Sequence, residues 1–213
     1  MTAFAEAPTR RERMAQRKRA VILDAALDLF SRYGVEGTTL EAVAQQADVS
    51  KSNLIYYFSG KEALYAAVLA DVLEGWLVPL DELRPDADPA AAIRAYIAKK
   101  MEFSRDNPAA SRLFCLEVMQ GAPVLDGRLR TVLRPAVDAK AAVIRHWIEA
   151  GLIAPIDPHQ MIFSLWATTQ HFADFATQIR ALRDRDLSDP DFYEDSVAHV
   201  TELFLGRLRP LGA

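Results

Sequence analysis

The sequence predicts an all-α protein, on three observations. Apolar residues recur at three- and four-residue spacing nearly throughout the 213 residues, and no stretch alternates apolar and polar as a half-buried strand does. Proline and glycine gather at the joints between those runs: Asn107-Pro108, Gly121-Ala122-Pro123, Gly151 with Pro155, and Asp189-Pro190. The stretch from Gly37 to Leu64, GTTLEAVAQQADVSKSNLIYYFSGKEAL, reads as two short helices around a tight turn. About nine helices are expected, forming an N-terminal helix-turn-helix domain and a larger C-terminal helical domain.

Each element has its own signal. The first helix is expected from Arg17 to Tyr33, with Val21, Ile22, Ala25, Leu29 and Phe30 inward and Gly34 as its stop. Thr39 is placed to cap the next helix, whose apolar face is Leu40, Val43, Ala44 and Ala47. Asp48 occupies the turn and tolerates left-handed backbone better than most residues. Ser50 then caps a second short helix that buries Leu54 and Phe58 and leaves Lys51, Ser52, Asn53 and Tyr56 outward. A long helix follows from Lys61 to about Leu83, stopped by Arg84-Pro85. Within it Gly75 costs about 1 kcal/mol against alanine and Pro79 about 3, so a bend is expected near Trp76. Further helices are expected near 88–105, 108–120, 124–150 with a kink at Pro135, 158–183 and 190–208.

Charge is unevenly divided. The net charge is −4, yet residues 1–64 hold nine Lys/Arg against eight Asp/Glu. Between Arg10 and Arg19 six basic residues meet one acid. Such a cluster neutralises phosphates and gives salt-sensitive affinity for nucleic acid. Its plainer reading is a solvated tail, and the two are compatible; residues 1–16 are expected to form a flexible basic arm.

The single cysteine, Cys115, gives no disulfide framework, and its setting in Leu113-Phe114-Cys115-Leu116 predicts a buried, inert thiol. The histidines at 146, 159, 171 and 199 have no zinc-ligand spacing, so no metal or cofactor is expected. His171 and Asp174 are helical neighbours without a nucleophile in a strained turn beside them, so no catalytic residue is assigned. The N-terminus has no secretion-signal pattern. Residues 158–179 carry Asp174 as their only formal charge but too many amides, hydroxyls and histidines to face lipid, so no membrane partner and a cytoplasmic location are expected.

The hydroxyl, amide and cationic side chains of SKSNLIYYF suit phosphate and base-edge contacts, and a short helix fits the DNA major groove. Its surroundings resemble the N-terminal domain of TetR-family transcriptional repressors: Gly37-Thr38, Val43-Ala44, Ala47, Val49-Ser50, Leu54, Tyr57-Phe58, Lys61-Glu62 and Leu64 fall on that family's pattern. Two positions depart from it. Asp48 replaces the usual turn glycine, and Ile55 replaces a tyrosine that touches phosphate, leaving Tyr56 as the aromatic substitute. The resemblance implies a helix-turn-helix domain over 17–62, a ligand-binding and dimerisation domain over 63–213, and double-stranded DNA with a pseudo-palindromic operator as partner. DNA contacts are then expected from Thr39, Ser50, Lys51, Ser52, Asn53, Tyr56, Tyr57 and Lys61.

In TetR-like proteins the last two long helices form a four-helix bundle across a two-fold axis, which implies a homodimer here. The stripe Phe192, Ser196, Val200, Leu203 and Phe204 suits that bundle, or packing within one chain. Trp166 and Gln170 lie four residues apart, with Ala173 and Thr177 continuing their face. A flat ring beside an amide suits a planar polar ligand, although core packing with a satisfied amide is the commoner use. The strings KEALYAAVL, SRDNPAASRLFC, GAPVL, IAPID and TQHFADFATQ extend the resemblance to the family's pyrimidine-utilisation regulators, which respond to uracil and thymine. That implies a uracil or thymine pocket built from Trp76, Trp166 and Gln170, with Phe114 and Cys115 in its wall. An apolar or cationic effector, as in drug-efflux regulators, is the alternative.

Overall fold

The computed structural model describes residues 9–206 and Leu208, so part of the expected basic arm, residues 1–8, lies outside the described residues. Those described are helical, with no strand among them. The chain divides into two compact units between Leu69 and Ala70. That boundary falls inside the long helix, later than the division at 62/63 expected from sequence.

The first unit contains α1 (Arg10–Gly37), α2 (Leu40–Gln46), α3 (Lys51–Tyr57) and the start of α4 (Lys61–Leu77). Helix α1 begins well before Arg17. Thr9 and Glu12 form a reciprocal capping box, so residues 10–16 are helical rather than a flexible arm. The expected stop is present: Gly34 has φ 69°, which glycine adopts without strain, and only a short turn follows it. The core of this unit joins Ile22, Ala25, Ala26 and Phe30 with Val43, Ala44, Leu54 and Phe58, and with Leu64 and Val68 of α4. Phe30 meets the Tyr65 ring edge-on at 5.2 Å. Val21, expected inward, is exposed, and Leu23 is buried in its place.

The second unit contains the end of α4, a 3-10 turn (Val78–Glu82), α5 (Pro89–Asp106), α6 (Pro108–Met119), the short α7 (Asp126–Arg128), a π turn (Leu129–Leu133), α8 (Arg134–Glu149), α9 (Pro158–Asp174), α10 (Ala176–Arg183) and α11 (Pro190–Leu205). Its core packs α5 against α9 and α11, and α8 against α9, around Tyr96, Ile97, Ile144, Trp147, Leu165 and Val200. Gly75 does not interrupt α4; a Cβ there would lie 3.3 Å from the Phe103 ring, so this glycine serves close packing. The helix tightens instead at Pro79, which opens the 3-10 turn. Pro135 acts in the same way on the helix expected over 124–150, where a π turn immediately precedes it. The helix expected over 158–183 breaks at Phe175 (φ −112°, ψ 25°), so Thr177 stands on α10 and does not continue the Trp166 face.

Lys61–Glu82 is long and apolar enough to cross a bilayer by length and composition, but half of that window is buried inside the protein. Leu64, Leu69 and Leu73 are core residues. It is a core helix.

Candidate DNA-reading helix and effector cavity

The reading element is built by two caps and one strained turn. Thr39 Oγ1 accepts the Ala42 N–H at 3.1 Å, and Ser50 Oγ accepts the Asn53 N–H at 3.1 Å. Between them Asp48 takes φ 51°, the left-handed conformation expected for that turn. These bonds fix the start of α3 relative to α2 with Leu54 fully buried beneath it. Lys51, Ser52, Ile55 and Tyr56 are then exposed, Tyr56 at 80%, while Asn53, Tyr57 and Lys61 are half-buried. The Tyr56 and Tyr57 rings meet edge-on at 5.3 Å. Ser50 and Thr39 are exposed too, but their oxygens already serve as caps, leaving each O–H to donate outward. Lys51 is ion-paired with Glu41 of α2, a contact the sequence reading did not anticipate. The basic residues of α1 from Arg10 to Arg19 are exposed, and Arg19 also lies over the Phe58 ring at 5.4 Å.

In the second unit Trp76, Phe114, Cys115, Trp166 and Gln170 line one cavity of about 300 Å³. The helices α4, α6 and α9 bring them together from distant stretches of chain. Trp76 and Phe114 rings are 4.4 Å apart at 42°. The Trp166 indole N–H donates to the buried Tyr96 hydroxyl at 2.7 Å, which fixes the ring and leaves its face as a surface. Desolvation holds that tyrosine neutral, its pKa raised well above the usual phenol range. The Gln170 amide makes no side-chain hydrogen bond among the described residues. Trp76 Nε1 is buried without an acceptor among them, a state that costs about 1–3 kcal/mol. Cys115 is only half-buried, contrary to the inert core thiol expected; its Sγ lies 3.7 Å from Met119 Sδ. Burial and the nearby Asp174 carboxylate raise its pKa.

Two charged members of the cavity wall were not assigned from sequence, Lys100 of α5 and Asp174 at the end of α9. Lys100 is 2% exposed, with Nζ 4.4 Å from the centre of the Trp76 ring. Burial pulls its pKa down to about 8, opposed by the attraction of Asp174. Asp174 accepts the Ser111 hydroxyl at 2.6 Å, tying α6 to α9. Met119, Leu129 and Leu133 supply apolar wall. Lys99-Lys100 reads in sequence as a solvated pair on a helix, so nothing local marked one of them as buried.

Comparison with known proteins agrees with both halves. A family model described as bacterial regulatory proteins, tetR family, matches residues 22–68, and one described as YcdC-like protein, C-terminal region, matches 69–211. The HTH-type transcriptional regulator RutR of Escherichia coli (strain K12) is 48% identical over 201 residues, covering 94% of this chain and 95% of RutR. The chain belongs to the TetR family. This TetR-family protein is a DNA-binding transcriptional regulator and not an enzyme. Two solved structures share its fold. AibR in complex with isovaleryl coenzyme A and operator DNA has a TM-score of 0.65 at 18% identity, covering 87% of this chain and 97% of AibR. A TetR transcription regulator from Haloarcula marismortui has a TM-score of 0.64 at 20% identity, covering 91% and 100%.

The stripe expected to serve dimerisation is largely used within the chain. Val200 and Ser196 are buried against the protein's own core, Phe192 and Phe204 pack on it, and Leu203 alone of the five is exposed. The reason is the packing of α11 on α5. A separate groove between α9 and α11 is lined by Gln160, Ser164, Thr168, Leu203 and Phe204.

Proposed function

We propose that this TetR-family protein is a homodimeric repressor that is released from a pseudo-palindromic operator by uracil or thymine. The observation that carries the reading is the convergence of Trp76, Phe114, Cys115, Trp166 and Gln170 on one small cavity. A pyrimidine offers a flat ring for the aromatic faces and alternating donors and acceptors for an amide. The wall carries both the Lys100 ammonium and the Asp174 carboxylate, a pairing that suits a neutral ligand with donors and acceptors better than a cationic or purely apolar one.

Two copies of α3, one helical turn of DNA apart, read a palindrome that one copy cannot. The outward groove between α9 and α11 is the surface assigned to the dimer. In this reading Lys51, Ser52 and Asn53 meet base edges or adjacent phosphates, and Thr39, Ser50, Tyr56, Tyr57 and Lys61 hold the backbone. Operator binding places the protein in the cytoplasm with the chromosome. Trp76 stands on α4, the helix that begins at Lys61 in the reading unit. A ligand that favours one position of that helix by about 1.4 kcal/mol changes operator affinity tenfold.

Selection of genomic fragments bound with and without uracil supplies the operator, and a gel-shift titration then measures its release. Loss of retardation with added uracil or thymine is expected. Operator affinity that stays constant through saturating pyrimidine sinks the switch.

A further inference from the structure

We infer that Lys100 and Asp174 read one O=C–N–H edge of the effector, the ammonium donating to the ring carbonyl and the carboxylate accepting from the adjacent N–H. The inference rests on the effector occupying this cavity, as proposed above, and assigns its chemical class as a cyclic imide or lactam. Both side chains line the cavity, from different helices. They attract one another, yet among the described residues Lys100 forms no ion pair. Its one described contact is the Trp76 ring face, which takes up charge but none of three N–H donors. A lysine only 2% exposed, whose ammonium has no acceptor among the described residues, is held at a cost that an incoming carbonyl oxygen offsets.

Asp174 is arranged in the complementary sense. Its Oδ1 accepts from Ser111 at 2.6 Å and the Cys115 thiol also hydrogen-bonds the carboxylate, which orients the group; two oxygens with about four lone-pair sites between them still have accepting capacity. A cation and an anion facing one cavity without closing on each other match a ligand edge that carries acceptor and donor side by side. The Trp76 and Trp166 rings and the apolar Leu129 and Leu133 select a flat ring over an open-chain zwitterion of the same polarity.

Calorimetric titration of the full-length protein with uracil, 1,3-dimethyluracil and glutarimide tests this. The dimethyl compound keeps both carbonyls and lacks N–H; glutarimide keeps the imide edge on a ring that is not a pyrimidine. Lys100→Met is expected to weaken uracil and 1,3-dimethyluracil alike, by about tenfold or more for a charged hydrogen bond. Asp174→Asn is expected to weaken uracil and glutarimide by a similar factor and to leave 1,3-dimethyluracil unchanged. A second readout needs no substitution. The titratable groups facing Lys100 are Asp174 from α9 and Cys115 from α6, and the raised Cys115 thiol stays protonated through pH 8. Wild-type affinity for uracil therefore holds below about pH 8 and falls above it, as Lys100 loses its proton.

Unchanged uracil affinity in both variants, with a flat pH profile, overturns the inference while a pyrimidine effector stands. Wild-type binding of glutarimide but neither pyrimidine, with the same variant pattern, supports the inference and removes the pyrimidine reading. No binding of any of the three overturns both.

Discussion

Lys100 Nζ lies 4.4 Å from the centre of the Trp76 ring, inside a wall where the lysine is only 2% exposed. A cation in that position destabilises the fold that holds it. The ring quadrupole and the Asp174 carboxylate offset part of the lost hydration, and the pKa still falls to about 8. Groups kept at such a cost cluster where a protein binds something.

Lys100→Met is expected to make the protein more stable at pH 7, by about 1–3 kcal/mol, because a buried charge is replaced by a thioether of similar length. The pH dependence follows from the lowered pKa. Above about pH 8 the folded protein has released this proton, while the unfolded chain keeps it to about pH 10.4. The unfolded state then binds more protons, so wild-type stability rises with pH across that window, and the advantage of the methionine variant shrinks. Urea unfolding of both proteins at pH 7 and pH 9.5 measures it. A methionine variant less stable than wild type at pH 7 would show that Lys100 is held for structure.

Lys51 is the only cation on α3, and Glu41 engages it. Both side chains are at least half exposed, so the pair is screened and weak, and the Glu41 pKa is lowered chiefly by the Lys51 hydrogen bond. In the proposed reading, DNA competes with that carboxylate for the ammonium. Glu41→Gln is therefore expected to raise affinity for operator and random DNA together, roughly two- to fivefold at low salt. Fluorescence anisotropy across a salt series reads it, and tighter binding confined to the operator would refute the competition.

The reading unit was plain in the sequence because its signals are local. A hydroxyl three residues before the N–H it caps, an aspartate in a turn and an apolar face over one helical turn all act within a few residues, and Thr39, Asp48 and Ser50 occupy the expected conformations. The cavity was legible only through resemblance. Trp76, Phe114 and Trp166 stand far apart in the chain, and no periodicity states that α4, α6 and α9 converge. Lys100 and Asp174 escaped for a sharper reason. A lysine in a helix faces solvent by default, and burial against a distant tryptophan overrides that preference without leaving a local mark. The start of α1 was misplaced because basic composition outweighed the Thr9–Glu12 capping box. The α11 stripe suits a partner copy or the chain itself, because an apolar stripe does not say whether α5 or a second copy will cover it.

Asp48 sits at φ 51°, and its N–H bonds the Gln45 carbonyl at 3.2 Å. A non-glycine residue in left-handed backbone costs about 1 kcal/mol, less for aspartate than for most. Asp48→Gly should therefore leave stability within about 1 kcal/mol of wild type, as relief of strain meets the greater entropy of the unfolded glycine. Asp48→Val should destabilise by about 1–2 kcal/mol, since a β-branched chain crowds the same backbone. Thermal unfolding of the two variants compares them directly, and equal melting for valine and glycine would mean the turn relaxes.

Asn53 and Lys61 should separate the two kinds of DNA contact. Asn53 is half-buried on α3, its backbone N–H held by Ser50 at 3.1 Å, so its amide is presented from a fixed helix start. In the proposed reading that amide pairs with one base edge, so Asn53→Ala should relax preference at one base pair by about 1–3 kcal/mol. Lys61 opens α4 and carries charge without shape. Its ammonium suits a phosphate, which is the same for every sequence, so Lys61→Ala should weaken operator and random DNA by the same factor. The salt dependence of log K should flatten by about 0.9, one phosphate's share of released counterions. Both variants measured on operator, single-base operator variants and random duplex over a salt series give the two answers in one experiment. Equal loss on operator and random DNA for Asn53→Ala removes it from base reading, and an unchanged salt slope for Lys61→Ala removes it from the backbone.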